Sequence, residues 1–197
     1  MTTDNGKPTT NDIENVIIIG SGPSGYTAAL YTARANLHPL LLAGGVDPAT
    51  SRTKGGQLMA TSDIENFPGA IAVTDDIYAM TPDDVKGITG PELMQRMELQ
   101  ARHAGARIEE EFVTEVDVCS NAGEYYTLTT ESGKEYRART IIISTGASAK
   151  RLNIPAEEKF FGKGGGVSTC ATCDGFLFSN MKATVAVVGG GDSAMEE

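Results

Sequence analysis

The stretch VIIIGSGPSG, residues 16–25, decides the fold because it leads from a buried strand straight into a glycine turn. Val16–Ile19 places four β-branched residues in a row, which is typical of a strand covered on both faces in a parallel sheet. GxGxxG follows at Gly20–Gly25, and Tyr26–Ala35, rich in Ala, Leu and Tyr, predicts a helix. Strand, turn and helix in this order predict a dinucleotide site rather than a turn that is merely rich in glycine.

Each glycine of this turn has a physical task in such a site. The first permits the tight turn, the second lets the backbone approach a pyrophosphate, and the third lets the helix pack closely on the strand. The helix N-terminus then faces the phosphates. The next predicted strand, Pro39–Ala43, ends in Gly44-Gly45, where the usual fingerprint has an acidic residue for the ribose, and Asp47 comes slightly late. This departure argues against a generic NAD site and leaves room for a larger dinucleotide such as FAD.

The middle of the chain adds loops and strands that can complete the site. Lys54–Leu58 is a second glycine-rich turn, and Ile64–Gly69 is a turn that ends in Pro and Gly. Residues 70–88 are acidic and predict an exposed, solvated loop. The remaining predictions are a helix, Glu92–His103, opened by Gly90-Pro91; short antiparallel strands, Phe112–Val118, Tyr125–Thr130 and Lys134–Ala138; and a buried strand, Thr140–Ser144, which ends in the turn Thr145-Gly146-Ala147.

The segment Cys170-Ala171-Thr172-Cys173-Asp174 is a candidate redox site. Two cysteines at this spacing can close a disulfide and reopen as a dithiol, in which one thiolate attacks and the other resolves the intermediate. A metal site is a poor alternative, because half of the usual four ligands are missing nearby. Asp174 can supply the proton that a leaving thiolate needs, although a turn residue before Gly175 is the simpler interpretation of that residue alone. The remaining cysteine, Cys119, is interpreted as a packing or edge residue.

A second nucleotide turn follows the cysteine pair. Val185–Val188 predicts a buried strand, Gly189–Ala194 is the GxGxxA variant of the turn, and Met195–Glu197 begins a helix. Two dinucleotide turns therefore bracket one redox CxxC. This arrangement predicts electron transfer between two cofactors, because it rarely arises otherwise.

The composition excludes several other classes of function. A net charge of −10 argues against a nucleic-acid-binding protein, which would need a basic face. No apolar run approaches the roughly 20 residues of a membrane helix, and the polar N-terminus does not resemble a secretory signal. Because a CxxC that must cycle needs a reducing compartment, we expect the protein to lie in the cytoplasm.

Six motifs in this order resemble the low-molecular-weight thioredoxin reductases of bacteria. They are GSGPSGYTAALYTARA at 20–35, GGQL at 55–58, DIENFPG at 63–69, STGASA at 144–149, CATCDGF at 170–176 and VVGGGDSAMEE at 187–197. The resemblance covers nearly the whole chain from residue 13, and CATCD is its most specific part.

The resemblance implies an α/β fold with a three-layer Rossmann-like FAD-binding domain, a β-meander, and the start of a second Rossmann-like domain for NADPH. The residues that it implies for FAD are Gly20, Ser21, Gly22, Pro23, Ser24, Gly25, Gly56, Gln57, Leu58, Asn66, Val113, Thr145, Gly146 and Ala147. Those that it implies for NADPH are Gly189, Gly191, Asp192, Ser193 and Ala194. No metal is implied.

The same resemblance implies the reaction and its residues. Electrons pass from NADPH to FAD, then to the disulfide of Cys170 and Cys173, then to the disulfide of thioredoxin. Cys173 is expected to face the flavin, Cys170 to attack the partner, and Asp174 to relay the proton. A homodimer is also implied.

The expected domains are a disordered leader, residues 1–12, an FAD-binding domain, residues 13–150, and an incomplete redox and NADPH domain, residues 151–197. In the family the chain continues and returns to the FAD domain, so we expect a chain truncated on its C-terminal side. We expect it to bind FAD weakly or not at all and to lack NADPH-dependent turnover, which flavin absorbance and a turnover assay would test. The alternatives are a related flavin-dependent dithiol oxidase, which the intact second turn argues against, and a non-catalytic fragment.

Overall fold

The computed structural model describes residues 9–46, 53–61, 63–73, 76–118, 125–161, 165–179 and 183–196. The chain divides into two compact units, Met1–Gly146 and Ala147–Glu197. The division falls four residues before the boundary expected at residue 150. Asp47 and Cys119 lie outside the described residues.

The first unit is an α/β structure. Its helices and strands are β1 Thr9–Ile19, α1 Pro23–Arg34, β2 Leu40–Leu42, α2 Gly90–His103, β3 Arg107–Glu109, β4 Val113–Asp117, β5 Tyr126–Thr130 and β6 Glu135–Ile143. The strands form one sheet in the order β3-β2-β1-β6-β5-β4. β1 is parallel to β2 and β6, and β2 is parallel to β3, whereas β4, β5 and β6 are antiparallel neighbours. A parallel Rossmann-like half thus continues into a β-meander, as the sequence predicts.

Side chains on both faces of the central strands are buried, which explains why β1 is apolar at consecutive positions. Ile18 and Leu41 belong to a cluster that includes Leu93 and Met94 of α2. Ile17 and Leu40, which point to the other face, belong to a second cluster with residues of the meander. Val16–Ile19 are all buried, and the predicted buried strand is therefore confirmed.

Several predicted boundaries differ from the structure. β1 begins at Thr9, so residues 9–12 belong to a strand and not to a leader. β6 is one strand of nine residues, whereas the sequence predicts two strands separated at Arg139. β3 was not predicted, because three residues with one buried side chain carry little periodicity. α1 begins at Pro23, inside the glycine motif, because proline suits the first helical turn.

The end of β6 is more exposed than predicted. Thr140–Ser144 was expected to be a buried strand, but Ile143 is 72% exposed. β5 pairs only with the first part of β6, from Glu135 to Ala138, so the meander does not cover the last residues of the strand.

The acidic segment, residues 70–88, is an exposed loop between two fixed ends, as predicted. Isolated bridges join Ile64 to Ile88 and Ile71 to Gly87 at its base. Between them the described residues form two short 3₁₀ turns, Ile77–Ala79 and Pro82–Asp84. The Thr81 N–H donates to the side chain of Asp84, and this bond lowers the pKa of that carboxyl. Asp76 likewise accepts the Tyr78 N–H, so these two acidic residues of the loop cap its turns.

In its described residues the second unit has three short helices, α3 Pro155–Phe160, α4 Ala171–Ser179 and α5 Asp192–Glu196. The predicted strand Val185–Val188 is wrong, since these residues have no regular structure and Val188 is 70% exposed. A strand needs a neighbour for its backbone hydrogen bonds, and the described residues of this unit provide none here. Among the described residues of the chain, no helix combines the length and apolar character needed to cross a membrane.

The buried face of β2 provides a test of the fold. Leu41 is fully buried, so Leu41→Ala should lower the free energy of unfolding by about 3 kcal/mol through lost burial and a cavity. Ile143→Ala removes an exposed side chain and should cost less than about 1 kcal/mol. Urea denaturation measures both variants, and equal losses would contradict the assignment of the core.

Candidate functional site

The first glycine turn has the close contacts that a dinucleotide turn requires. Gly20 has a φ of +106°, and a Cβ placed there would lie 2.4 Å from the Ser144 carbonyl oxygen. A Cβ at Gly25 would lie 1.9 Å from the Gly20 carbonyl oxygen, so only glycine lets α1 pack this closely on the turn. No atom lies within 4 Å of a Cβ placed at Gly22. Two glycines are therefore fixed by packing, while the middle one faces open space beside the helix N-terminus.

Two serines fasten this turn to its neighbours. The buried Ser21 hydroxyl donates to the Ala43 carbonyl oxygen at 2.7 Å and accepts the Gly55 N–H at 3.0 Å. The Ser144 hydroxyl donates to the Ile19 carbonyl oxygen at 2.8 Å. The turn therefore lies where the carboxyl ends of β1, β2 and β6 meet. β1 lies between two parallel neighbours, with β2, the next strand in sequence, on one side and β6 on the other. The strand order therefore changes direction at β1, and an open parallel sheet usually binds its ligand in the crevice at such a switch point.

The second glycine-rich turn lies against the first. A Cβ placed at Gly56 would lie 3.7 Å from the Gly22 Cα atom. Gln57 is exposed, and Leu58 is half-buried. The backbone of residues 55–57 thus borders the open space at Gly22.

The structure explains why Gly44 stands where the usual fingerprint has an acidic residue for the ribose. Gly44 has a φ of +70°, and a Cβ there would lie 2.9 Å from the ring of Phe112. Because the ring covers this position, an Asp or Glu side chain does not fit there without a shift of Phe112. The Gly44 N–H donates to the Glu111 carbonyl oxygen at 3.0 Å, which holds the two segments together.

A partly buried network of charges, which the sequence analysis missed, holds the second turn to the helices. Lys54 Nζ lies 2.8 Å from both Glu98 Oε2 and Glu110 Oε1. The Tyr26 hydroxyl donates to Glu98 at 2.9 Å, and Arg102 pairs with the other oxygen of the same carboxylate at 2.9 Å. Glu98 therefore joins α1, α2 and the segment that enters the turn. Two of its partners, Tyr26 and Lys54, are distant in sequence, so no local pattern reveals the whole network.

These contacts shift the pKa values of the network. Burial tends to raise the pKa of Glu98, but hydrogen bonds from Lys54 and Arg102 lower it overall. Burial tends to lower the pKa of Lys54, but hydrogen bonds to Glu110 and Glu98 raise it overall. Burial and then the hydrogen bond to Glu98 raise the pKa of the Tyr26 hydroxyl. The carboxylate, the ammonium and the neutral phenol are all favoured at neutral pH.

The other residues predicted for FAD in this unit take separate places. Pro23 and Ser24 begin α1, and the Cα atom of Thr145 would lie 3.2 Å from a Cβ at Gly20. Gly146, at the end of this unit, is exposed. Asn66 is exposed in its loop, and the described contacts do not join it to the glycine turn. The last two such residues are Val113, half-buried in β4, and Ala147, which begins the second unit.

In the second unit the cysteine pair lies at the start of α4. Cys170 and Cys173 form a disulfide, with the first half-buried and the second exposed. The Cys170 carbonyl oxygen accepts the N–H groups of Cys173 at 3.2 Å and Asp174 at 3.1 Å, so helical hydrogen bonding begins at the first cysteine. Positive charge at a helix N-terminus stabilises a thiolate there when the pair is reduced.

Asp174 lies beside the pair in one hydrogen-bonded group with Ser168. The Ser168 hydroxyl donates to Asp174 Oδ2 and accepts the Cys170 N–H at 3.1 Å. The three predicted catalytic residues are therefore brought together within one helical turn. Ser168 was not predicted, although its place two residues before the CxxC is the only local signal available.

The segment before the pair is fastened within the same unit. Glu157 is buried and accepts Arg151 Nε and the Asn153 N–H, both at 2.7 Å. Burial opposes ionisation, but these hydrogen bonds lower the pKa of Glu157. The Arg151 guanidinium also lies 3.5 Å from the centre of the Phe161 ring. This cluster anchors α3, which precedes the redox segment.

The second nucleotide turn has a similar glycine pattern. Gly189 has a φ of +138°, and a Cβ there would lie 3.4 Å from the Ala194 side chain. No atom lies within 4 Å of a Cβ placed at Gly191. The Ala194 N–H donates to the Gly191 carbonyl oxygen at 3.1 Å as α5 begins. Asp192 and Ser193 form the exposed first turn of that helix.

Two dinucleotide turns and a redox disulfide define the class of the protein as an oxidoreductase. The profile of the family described as "Pyridine nucleotide-disulphide oxidoreductase" matches residues 14–197, and the chain belongs to this family.

Individual relatives are similar over nearly the whole chain. The chain is 46% identical to a thioredoxin reductase of Streptomyces coelicolor over 95% of this chain and 50% of the relative. It is 47% identical to a Pseudomonas fluorescens protein named glucosaminate ammonia-lyase over 92% of this chain and 48% of that protein. Among solved structures, it resembles the thioredoxin reductase of Streptococcus pyogenes with a TM-score of 0.68 and 37% identity, covering 95% of this chain and 51% of the other. The chain thus spans about half the length of the curated relatives it matches.

The glycine contacts yield a paired test. Gly25→Ala places a methyl group against the Gly20 carbonyl oxygen and should destabilise the first unit by more than about 3 kcal/mol, beyond ordinary overpacking. Gly22→Ala meets no atom within 4 Å and should leave the free energy of unfolding within about 1 kcal/mol of the wild type. Urea denaturation followed by circular dichroism compares them. Similar losses in both variants would contradict the packing role of Gly25.

The network at Glu98 predicts a pH-dependent stability. The pKa of Glu98 is lowered in the folded state, so its contribution is present above the unfolded value near 4.5 and is lost as the pH falls through the folded pKa. Glu98→Gln should therefore cost about 1–2 kcal/mol at pH 7, and this difference from wild type should shrink below about pH 4.

The matched control is Glu92→Gln on the same helix. Glu92 forms an exposed pair with Arg96 one turn away, and its loss should cost less than about 0.5 kcal/mol. Denaturant midpoints at neutral and acidic pH measure both variants. Equal costs for the two variants at pH 7 would refute the role of the network.

Proposed function

We propose that the whole protein is a thioredoxin–disulfide reductase that passes electrons from NADPH through FAD and the Cys170–Cys173 disulfide to thioredoxin. The observation that carries the proposal is the disulfide at the start of α4, hydrogen-bonded through its backbone to the Ser168–Asp174 group. Relatives named thioredoxin reductase support the substrate. The other named activity, the ammonia-lyase, finds no comparable support in the geometry of this segment.

The two glycine turns fit the two cofactors. The open backbone at Gly22, bordered by Gly56, suits the pyrophosphate of FAD, and the turn at Gly189–Ala194 suits that of NADPH. When bound, the flavin would supply hydride acceptance and electron delivery to a disulfide. The chain's own residues bind the phosphates and place the disulfide. We also propose residues 13–150 as the FAD-binding domain and residues 151–197 as part of the redox and NADPH domain.

Within this proposal, Cys170 is the nucleophile toward thioredoxin and Cys173 is the cysteine that faces the flavin. The place of Cys170 at the helix N-terminus favours its thiolate. The exposure of the two cysteines in the disulfide form favours the opposite assignment, because Cys173 is exposed while Cys170 is half-buried. A trapping experiment decides between the two assignments.

The environment of the protein is proposed on the same grounds. A dithiol that must be regenerated fits the reducing cytoplasm. Thioredoxin is the proposed protein partner, and a homodimer is the proposed assembly.

The direct test of the proposed function uses the dithiol and needs no cofactor. The chain is reduced, freed of reductant, and mixed with oxidised thioredoxin in a Cys119→Ser background. With oxidised thioredoxin in large excess, we expect one thioredoxin disulfide to be reduced per chain, because the pair carries two electrons and the excess drives exchange between couples of similar potential to completion. In Cys173→Ser, Cys170 should trap a mixed disulfide with thioredoxin, whereas Cys170→Ser should trap little.

The controls separate the possible failures. Trapping by Cys173 instead of Cys170 would reverse the division of labour but keep the reductase. The absence of any exchange with thioredoxin, while a small disulfide still oxidises the pair, would overturn thioredoxin as the substrate. Flavin fluorescence titration of the wild type and Gly22→Val separately measures cofactor binding, and measurable binding with equal affinity in both would exclude FAD from the first turn.

A further inference from the structure

We propose that Ser168 is a positioning residue for the redox pair, because its hydroxyl holds the Asp174 carboxyl group beside Cys170 for proton transfer during thiol–disulfide exchange. This inference rests on the proposed reductase function and concerns the same site. Ser168 does not touch the substrate disulfide in this account; it acts through Asp174.

The hydrogen bonds of Ser168 have one consistent assignment. Its hydroxyl oxygen lies within reach of both Asp174 Oδ2 and the Cys170 carbonyl oxygen, the latter at 3.2 Å. A hydroxyl has one hydrogen to donate. The Cys170 carbonyl oxygen already accepts two N–H groups of α4, from Cys173 and Asp174. The hydrogen therefore goes to the carboxylate, where a charge-assisted bond is stronger.

The same hydroxyl also accepts from the backbone of the first cysteine. The Cys170 N–H donates to Ser168 Oγ at 3.1 Å. One oxygen atom thus joins the backbone of Cys170 to the side chain of Asp174. Asp174 lies in the first turn of α4, which begins at the residue after Cys170.

The position of Ser168 is itself fixed by the residues before it. The Val167 N–H donates to the Phe160 carbonyl oxygen at 3.0 Å, and Val167 forms a parallel bridge with Phe161. Residue 168 therefore begins from a fixed backbone position at the end of α3. A short polar side chain at this position can hold the Asp174 carboxyl group.

The proton balance of exchange shows what Asp174 is needed for. Exchange begins with a Cys170 thiolate and a Cys173 thiol, and it consumes two protons, one from that thiol and one delivered through the Asp174 carboxyl group. The thiolate attacks one sulfur of the substrate disulfide, a mixed disulfide forms, and the first leaving thiolate takes the proton from Asp174.

The second step restores the starting disulfide. The Cys173 thiol gives its proton to the Asp174 carboxylate and attacks the Cys170 sulfur. The Cys170–Cys173 disulfide re-forms, and the second leaving thiolate takes that proton. Two thiols are released, and the two electrons come from the cysteine pair. Ser168 can serve both states of Asp174, because a hydroxyl donates to a carboxylate and accepts from a carboxyl group.

Two disulfide substrates separate this role from a purely structural one. Hydroxyethyl disulfide releases a basic alkyl thiolate that needs a proton, whereas an aryl disulfide such as dithionitrobenzoate releases a stable thiolate that does not. In the reduced chain with Cys119→Ser, Ser168→Ala should slow oxidation by the alkyl disulfide about threefold to tenfold. The rate with the aryl disulfide should stay within about twofold.

Matched variants complete the test. Ser168→Thr keeps a hydroxyl and should restore the alkyl rate, and Thr169→Val at the exposed neighbouring position should leave both rates unchanged. Asp174→Asn should lower the alkyl rate at least as much as Ser168→Ala. The double variant should be no slower than Asp174→Asn alone, because Ser168 acts only through that residue.

The outcomes distinguish failure of the inference from failure of the proposed function. Equal slowing with both disulfides, additive losses in the double variant, or loss of helix in Ser168→Ala by circular dichroism would overturn the inference, because each indicates a structural hydroxyl. An Asp174→Asn variant with unchanged rates would overturn both the inference and the proton relay. A chain that follows all of these expectations but does not reduce thioredoxin would keep the inference and lose the proposed substrate.

Discussion

The contact between the Gly20 carbonyl oxygen and the α carbon of Gly25 is the constraint on which the first unit depends. A methyl group at residue 25 would lie 1.9 Å from that oxygen, so α1 can start this close to β1 only with glycine there. The close approach places the helix N-terminus at the carboxyl edge of the sheet. Ser21 and Ser144 then fasten the ends of β2 and β6 to the same point. The open side of the turn, at Gly22, is what remains for a ligand.

In the second unit a helix N-terminus lies beside sulfur, where it favours the thiolate form of a cysteine. The cysteine pair lies at the start of a helix, where the positive end of the helix dipole favours negative charge. Dinucleotide phosphates at one helix start and a thiolate at another are stabilised by the same kind of partial charge. Ser168 and Asp174 add a route for protons, which the helix alone does not provide. The chain spans about half the length of its curated relatives.

The sequence was sufficient where one short segment contains the whole physical cause. Val16–Gly25 predicts strand, turn and helix, and Cys170–Asp174 predicts a redox pair, because the interacting groups are neighbours in the chain. Prediction failed where the cause is distant. The ring of Phe112 over Gly44 and the joining of Lys54 to Glu98 depend on packing that no local pattern records. The predicted strand Val185–Val188 failed for a related reason, since apolar residues form a strand only beside a partner.

The reduction potential of the Cys170–Cys173 pair tests the central claim most directly, because a catalytic disulfide and a structural one differ in this quantity. Equilibration of the chain with dithiol redox buffers, followed by alkylation and mass analysis, gives the midpoint. If the pair exchanges electrons with thioredoxin, its two-electron midpoint should be about −270 mV, close to that of thioredoxin. A midpoint well below about −300 mV would identify a structural disulfide and contradict the account.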